Sequence, residues 1–119
     1  MNQFDAIAAL AALGQPTRLE TFRLLVREEP HGVPAGELAR RMDIPQNTMS
    51  AHLSILARTG LVGGERHSRS IIYRANLARF RELVGFLVKD CCGGNAELCE
   101  PLLEQVLCCD PKNKKGQCA

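Results

Sequence analysis

The sequence predicts a mainly α-helical fold carrying one β-hairpin. Three observations predict it. Apolar residues recur at helical spacing in several short stretches, and prolines and glycines separate those stretches. A polar, basic tip at residues 66–69 is flanked by Leu61-Val62 and Ile71-Ile72-Tyr73. At 119 residues the chain is one domain with at most a short appendage.

Phe4, Ile7, Ala8 and Ala11 give a first helix from about Asp5 to Leu13, which Gly14 ends. Pro16 sits where a first-turn proline is tolerated. Leu19, Phe22, Leu25 and Val26 then mark a second helix to about Arg27. Pro30, Gly32 and Pro34 punctuate a loop, and a short third helix holds Leu38 and Met42. Ile44-Pro45 breaks that helix and opens a fourth, Gln46 to about Arg58, with Met49, Leu53 and Leu56 as its buried stripe. After Gly60 comes the hairpin, with Arg66, His67, Ser68 and Arg69 near its turn. Leu77, Phe80, Val84 and Leu87 define a last long helix to about Asp90, where Gly93-Gly94 breaks the pattern. Pro101 opens a short helix with Leu102, Leu103, Val106 and Leu107, and a polar tail follows.

Aromatic residues make up only 4% of the chain, so aliphatic and alanine packing must form the core. A core this small is often marginal alone, and oligomerisation is a common remedy. The formal net charge of +2 conceals an asymmetry. Residues 58–81 carry Arg58, Arg66, Arg69, Arg74, Arg79 and Arg81 against Glu65 alone, whereas residues 89–119 are close to neutral. Such a stripe suits a polyanion or a solvated, salt-bridged face. No transmembrane run is present, and the apolar opening lacks a basic flank, so a cytoplasmic protein is expected.

The outer face of the fourth helix, Asn47, Ser50, Ala51, Ser54 and Arg58, is small, polar and free of acid. A short helix, a tight turn and a second helix with such a face form a helix-turn-helix pattern. The stretches LAALGQPTRLETFRLL (10–25), GELARRMDIPQNTMSAHLSILARTGLV (36–62) and SRSIIYRAN (68–76) resemble the arsenic-repressor/SmtB (ArsR) family of regulators. The resemblance covers residues 5–90 and implies a winged helix-turn-helix fold. It also implies a homodimer paired through the first and last long helices, and an operator DNA of two-fold symmetry. The family's wing turn often has glycine before the arginine, where this chain has Ser68.

An α-helix fits the major groove, and Asn or Gln amides can pair with adenine N6 and N7. Gln46 and Asn47 at the helix start are therefore candidate base readers. Thr48, Ser50 and Ser54 can reach phosphates or bases, and Arg66 and Arg69 suit phosphates or the adjacent minor groove. Thr48 and Ser50 have a second use, bonding their own helix backbone. His52 either touches phosphate or fixes the helix against its neighbour. Tyr73 reads as wing core rather than a DNA contact, and Arg40 and Arg41 as solvated, with phosphate contact the lesser alternative.

All six cysteines lie beyond Lys89, five of them within residues 91–109. A cytosolic setting disfavours a disulfide scaffold. Adjacent cysteines, with Cα atoms about 3.8 Å apart, are poorly built to bridge each other. They do aim two sulfurs at one third party. Thiolates select soft ions. The CC-x₆-C pattern of Cys91, Cys92 and Cys99 departs from closed tetrahedral zinc spacing. It is closer to the needs of a three-coordinate pyramidal centre such as As(III), with Gly93-Gly94 letting the chain fold back. The third helix has no cysteine and the last long helix no histidine, so two familiar sites of the family are empty. Some members bind arsenite through a CC pair plus one later cysteine past the last long helix. That resemblance assigns Cys91, Cys92 and Cys99 as the metal ligands, with Cys108-Cys109 as the rival pair.

The expectation is a winged-helix DNA-binding and dimerisation domain over residues 1–90, followed by a cysteine-rich inducer-binding segment over 91–119. The protein would be a cytoplasmic homodimeric repressor of a palindromic double-stranded operator, released by As(III) or Sb(III), with no organic cofactor and no membrane partner. The alternatives are a thiol-redox switch, or a cadmium, lead or zinc response, on the same domain. No C-x-x-C motif and no candidate base beside the cysteines favour an enzyme.

Overall fold

A computed structural model describes residues 1–88; the expected helix after Pro101, the tail and all six cysteines lie outside the described residues. Met1–Leu83 forms one compact unit. Its first element is helix α1, Gln3–Leu13, begun by the Asn2 side chain, whose Oδ1 accepts from the Asp5 N–H at 2.8 Å. Helix α2, Pro16–Arg27, begins in the same way: Gln15 Oε1 accepts from the Arg18 N–H at 2.8 Å, and Pro16 occupies the first turn.

Strand β1 is only Val33–Pro34. Helices α3 (Ala35–Met42) and α4 (Gln46–Arg58) follow, joined by a three-residue turn. Asp43, at φ +54°, ends α3 in the left-handed region, and the Ile44 N–H returns to the Ala39 carbonyl at 3.1 Å. Strands β2 (Val62–His67) and β3 (Ser70–Ala75) form the expected hairpin, running in register from Val62 opposite Ala75 to His67 opposite Ser70. Helix α5 is described from Leu77 to Val88.

The sheet has a third strand that the sequence pattern hid. Its order is β1-β3-β2, all antiparallel, with Val33 opposite Tyr73. Residues 30–34 read as a loop because two residues, one a proline, give no alternation, and proline is tolerated only at a sheet edge, where β1 lies.

Leu25, Leu38, Met49, Leu53, Leu56, Leu61 and Leu83 are fully buried. Each contributes about 1.5–3 kcal/mol relative to exposure. Phe22 and Phe80 pack with ring centroids 5.5 Å apart. The stripe expected on α4 is therefore the one buried, but α1 is different. It turns Ala6, Ala9 and Ala12 inward and leaves Phe4, Ile7 and Leu10 exposed, at 83, 54 and 43%. Leu19 and Val26 of α2 are exposed as well. Spacing located both helices, yet it could not say which apolar face packs within the chain.

Candidate nucleic-acid interface

Helix α4 carries most of the candidate contact residues, and its two faces explain why. Met49, Leu53 and Leu56 hold the inner face in the core, so Asn47, Ser50, Ala51, Ser54 and Arg58 must face solvent; all five are exposed. Gln46 and Thr48 are exposed too. Pro45 stands at the N-cap and gives no side-chain cap. Asn47 supplies a local substitute, its Oδ1 accepting from the Thr48 N–H at 2.9 Å. Its amide NH₂ is left to donate outward, and the second lone pair of Oδ1 is left to accept, so both amide groups can pair with a base. The Gln46 amide lies toward the first turn of α3; its Nε2 is 3.8 Å from where a Gly36 Cβ would stand.

The hydroxyls of Thr48, Ser50 and Ser54 make no hydrogen bond among the described residues, whereas those of Thr21 and Thr59 bond back to the carbonyls of Thr17 and Leu56, each at 2.7 Å. The outer-face hydroxyls are thus available to a ligand.

His52 is half-buried, with Nδ1 3.4 Å from a terminal nitrogen of Arg18. Arg18 also donates from Nε to the Ala12 carbonyl at 2.7 Å, covering the carboxyl end of α1. The histidine therefore lies beside Arg18 of α2, where α2 and α4 meet.

The hairpin presents Arg66, His67, Ser68 and Arg69 at its end, all exposed. Its turn is the two residues Ser68 and Arg69, and Ser68 adopts φ +59°. The turn thus holds serine at a left-handed φ, at the position where the family often has glycine. Tyr73 covers the cross-strand Gly64, its Cε1 3.0 Å from where a Cβ would stand.

The basic stripe divides in two. Arg74 forms a two-point pair with Glu29, at 3.0 and 2.8 Å, which raises its pKa further. Arg79 is engaged by the Thr59 carbonyl and by Glu82. Arg58, Arg66, Arg69 and Arg81 have no ion-pair partner among the described residues. On α3, Arg40 and Arg41 are paired rather than merely solvated. Both grip Glu37, and Arg41 also reaches Glu28 at 2.7 Å. The bonds from Arg40, and after it Arg41, hold the Glu37 carboxyl at about 2 against an ordinary 4.5.

Among the described residues no group of three or more His, Cys, Asp or Glu side chains is placed to hold a metal ion, and no helix is long and apolar enough to cross a membrane. Cys91, Cys92 and Cys99 lie outside the described residues.

Two helices joined by a tight turn, the second with an open hydrogen-bonding face, followed by an arginine-tipped hairpin, define a winged helix-turn-helix DNA-binding protein. Residues 13–63 match the helix-turn-helix domain family. The chain is 27% identical over 94 residues to the transcriptional activator HlyU of Vibrio cholerae, covering 79% of this chain and 84% of that one. It is 40% identical over 65 residues to the repressor SmtB of Mycobacterium tuberculosis, covering 55% of this chain but only 46% of that one. Its structure is similar to that of an ArsR-like regulator from Rhodococcus sp. RHA1 (TM-score 0.64, 25% identity, 86% of this chain and 92% of that one). It also resembles the transcriptional repressor BigR of Xylella fastidiosa (TM-score 0.54, 32% identity, 70% of this chain and 82% of that one). The chain belongs to the ArsR/SmtB family of winged-helix transcriptional regulators.

Proposed function

We propose that this protein is a cytoplasmic homodimeric repressor that holds a two-fold-symmetric operator when ligand-free and releases it on binding trivalent arsenic or antimony through Cys91, Cys92 and Cys99. The cysteine spacing carries the inducer reading: two adjacent thiolates and a third seven residues on offer a soft, three-sulfur set. For pairing, the support is the exposed row Phe4, Ile7 and Leu10 on α1, a face that a second copy would cover. SmtB and BigR, both named repressors, support the direction of regulation, although HlyU is named an activator.

In this reading Gln46 and Asn47 donate to base edges in the major groove, while Thr48, Ser50 and Ser54 reach phosphates or bases. Arg66 and Arg69 bind phosphates or the flanking minor groove. His52 orients α4 through its contact with Arg18. A bound trivalent ion gathers the three sulfurs into one ring just beyond α5 and biases the pair of recognition helices away from the spacing the operator needs.

The test is titration of operator-bound protein with arsenite, for wild type and for Cys→Ser at positions 91, 92, 99, 108 and 109 separately. The reading expects the first three changes to block release and the last two to leave it. Release blocked only by the changes at 108 and 109 moves the site to the later pair. Release by peroxide or cadmium but not arsenite replaces the inducer.

A further inference from the structure

Arg79 is charged and belongs to the basic stripe, yet its donors are engaged by groups of this chain. Its Nε donates to the Thr59 carbonyl at 3.1 Å. One terminal nitrogen donates to Glu82 Oε2 at 3.0 Å, and the other lies 3.8 Å from Asp5 Oδ2. Its side chain is 26% exposed. Thr59 is the C-cap of α4, and a helix end leaves carbonyls without intrahelical partners. A cation there satisfies one of them and complements the negative end of the helix dipole.

Two further features fix this arrangement. Gly60, at φ +82°, lies directly under the Arg79 side chain, and a Cβ there would stand 3.1 Å from Nε and 3.4 Å from Cγ. The Asn76 N–H also donates to the Leu61 carbonyl at 2.8 Å, while the Asn76 side chain caps the Arg79 N–H at 3.2 Å. The start of α5 is thereby bonded to the C-cap of α4 through Arg79 and to Leu61, just ahead of β2, through Asn76. The same guanidinium faces the first turn of α1, whose outer row is the exposed apolar one.

We propose that Arg79 is the positioning residue that locks the carboxyl end of the DNA-reading helix to α5 and α1. It touches no DNA, and it transmits displacement of α5 to α4. Helix α5 runs unbroken from Leu77 to Val88, three residues short of Cys91. From Arg79 to Val88 the helix is about 14 Å long. The transmission step rests on the inducer reading above; the positioning step does not.

The experiment measures operator affinity by fluorescence anisotropy across a potassium chloride series, with and without arsenite. It uses wild type, R79Q, R79K and R81Q, each checked by circular dichroism. A positioning role predicts that R79Q weakens ligand-free binding about threefold to tenfold, in the range by which such coupling residues act. The slope of log affinity against log salt stays unchanged, R79K recovers part of the loss through its single donor, and arsenite's fold-weakening shrinks in R79Q. R81Q keeps the wild-type arsenite response. A slope reduced by about one makes Arg79 a phosphate contact and overturns the proposal. So does unchanged affinity in R79Q, and so does an arsenite response of full size in R79Q. If arsenite fails to release even the wild type, the inducer reading falls, and the positioning role is then decided by affinity, slope and lysine rescue.

Discussion

Replacing Gly32 by alanine tests how firmly the wing is tied to the helix-turn-helix unit. Gly32 has φ +76° and immediately precedes β1. A Cβ there would stand 2.7 Å from the Tyr73 carbonyl oxygen, 2.6 Å from Arg74 Cγ and 2.8 Å from Ile72 Cγ2. The two side-chain atoms can swing aside, but the Tyr73 oxygen is backbone of β3, opposite Val33 in the register. Left-handed φ costs a residue with a Cβ about 1–2 kcal/mol, and forcing atoms into a filled site adds about 1–3 kcal/mol. The stiffer unfolded chain returns about 0.4–1 kcal/mol. The net expectation is a loss of roughly 2–4 kcal/mol, or on the order of 10–25 °C in Tm for a unit of this size. The assay is urea and thermal denaturation by circular dichroism at one fixed protein concentration, with Gly63→Ala as control. Gly63 also lies in this sheet, yet nothing stands within 4 Å of its would-be Cβ, so that change stays within about 0.5 kcal/mol. A Gly32→Ala loss below about 1 kcal/mol, or equal losses in the two variants, would refute the claim that close backbone approach fixes this strand.

Three further outcomes are expected. The Glu37 carboxyl, followed by NMR, titrates near 2, and removing the Arg40 and Arg41 guanidiniums returns it toward 4.5. Because its folded value is depressed, whatever stability this cluster gives is complete above about pH 4.5 and is lost as pH falls toward 2; loss on the alkaline side instead would contradict the assignment. Asn47→Ala should cost about 1–3 kcal/mol of operator affinity and relax preference at one base pair, whereas Arg69→Ala should weaken binding to all sequences alike and lower the salt slope by about one; competition with single-base operator variants separates the two. Ser68→Gly should stabilise the wing by up to about 1 kcal/mol, since left-handed φ disfavours serine and suits glycine, and slower amide exchange in β2 and β3 is the measurement.

Much of this architecture was legible because periodicity and punctuation agree. Met49, Leu53 and Leu56 stand at helical spacing after Ile44-Pro45, and all three are fully buried. The outer face of α4 followed from the same spacing, since one helix cannot bury both sides. What stayed hidden depends on distant partners. Nothing in Val33-Pro34 announces a strand until β3 is alongside. Arg74 and Arg79 looked like members of a free basic stripe because their partners, Glu29 and the Thr59 carbonyl, are 45 and 20 positions away. The inward face of α1 was missed because alanine is a weak apolar signal beside Phe4, Ile7 and Leu10, yet Ala6, Ala9 and Ala12 are the residues buried. The α3 cluster was half legible: Glu37 with Arg40 and Arg41 has helical pair spacing, but Glu28 does not.

The alanine face of α1 carries a consequence for supply. A chain that spends its smallest side chains on itself and offers its bulkiest to a twin is sturdiest when copies are plentiful. Scarcity then acts as a dial of its own: the fewer the copies, the less of the stability that pairing adds is present.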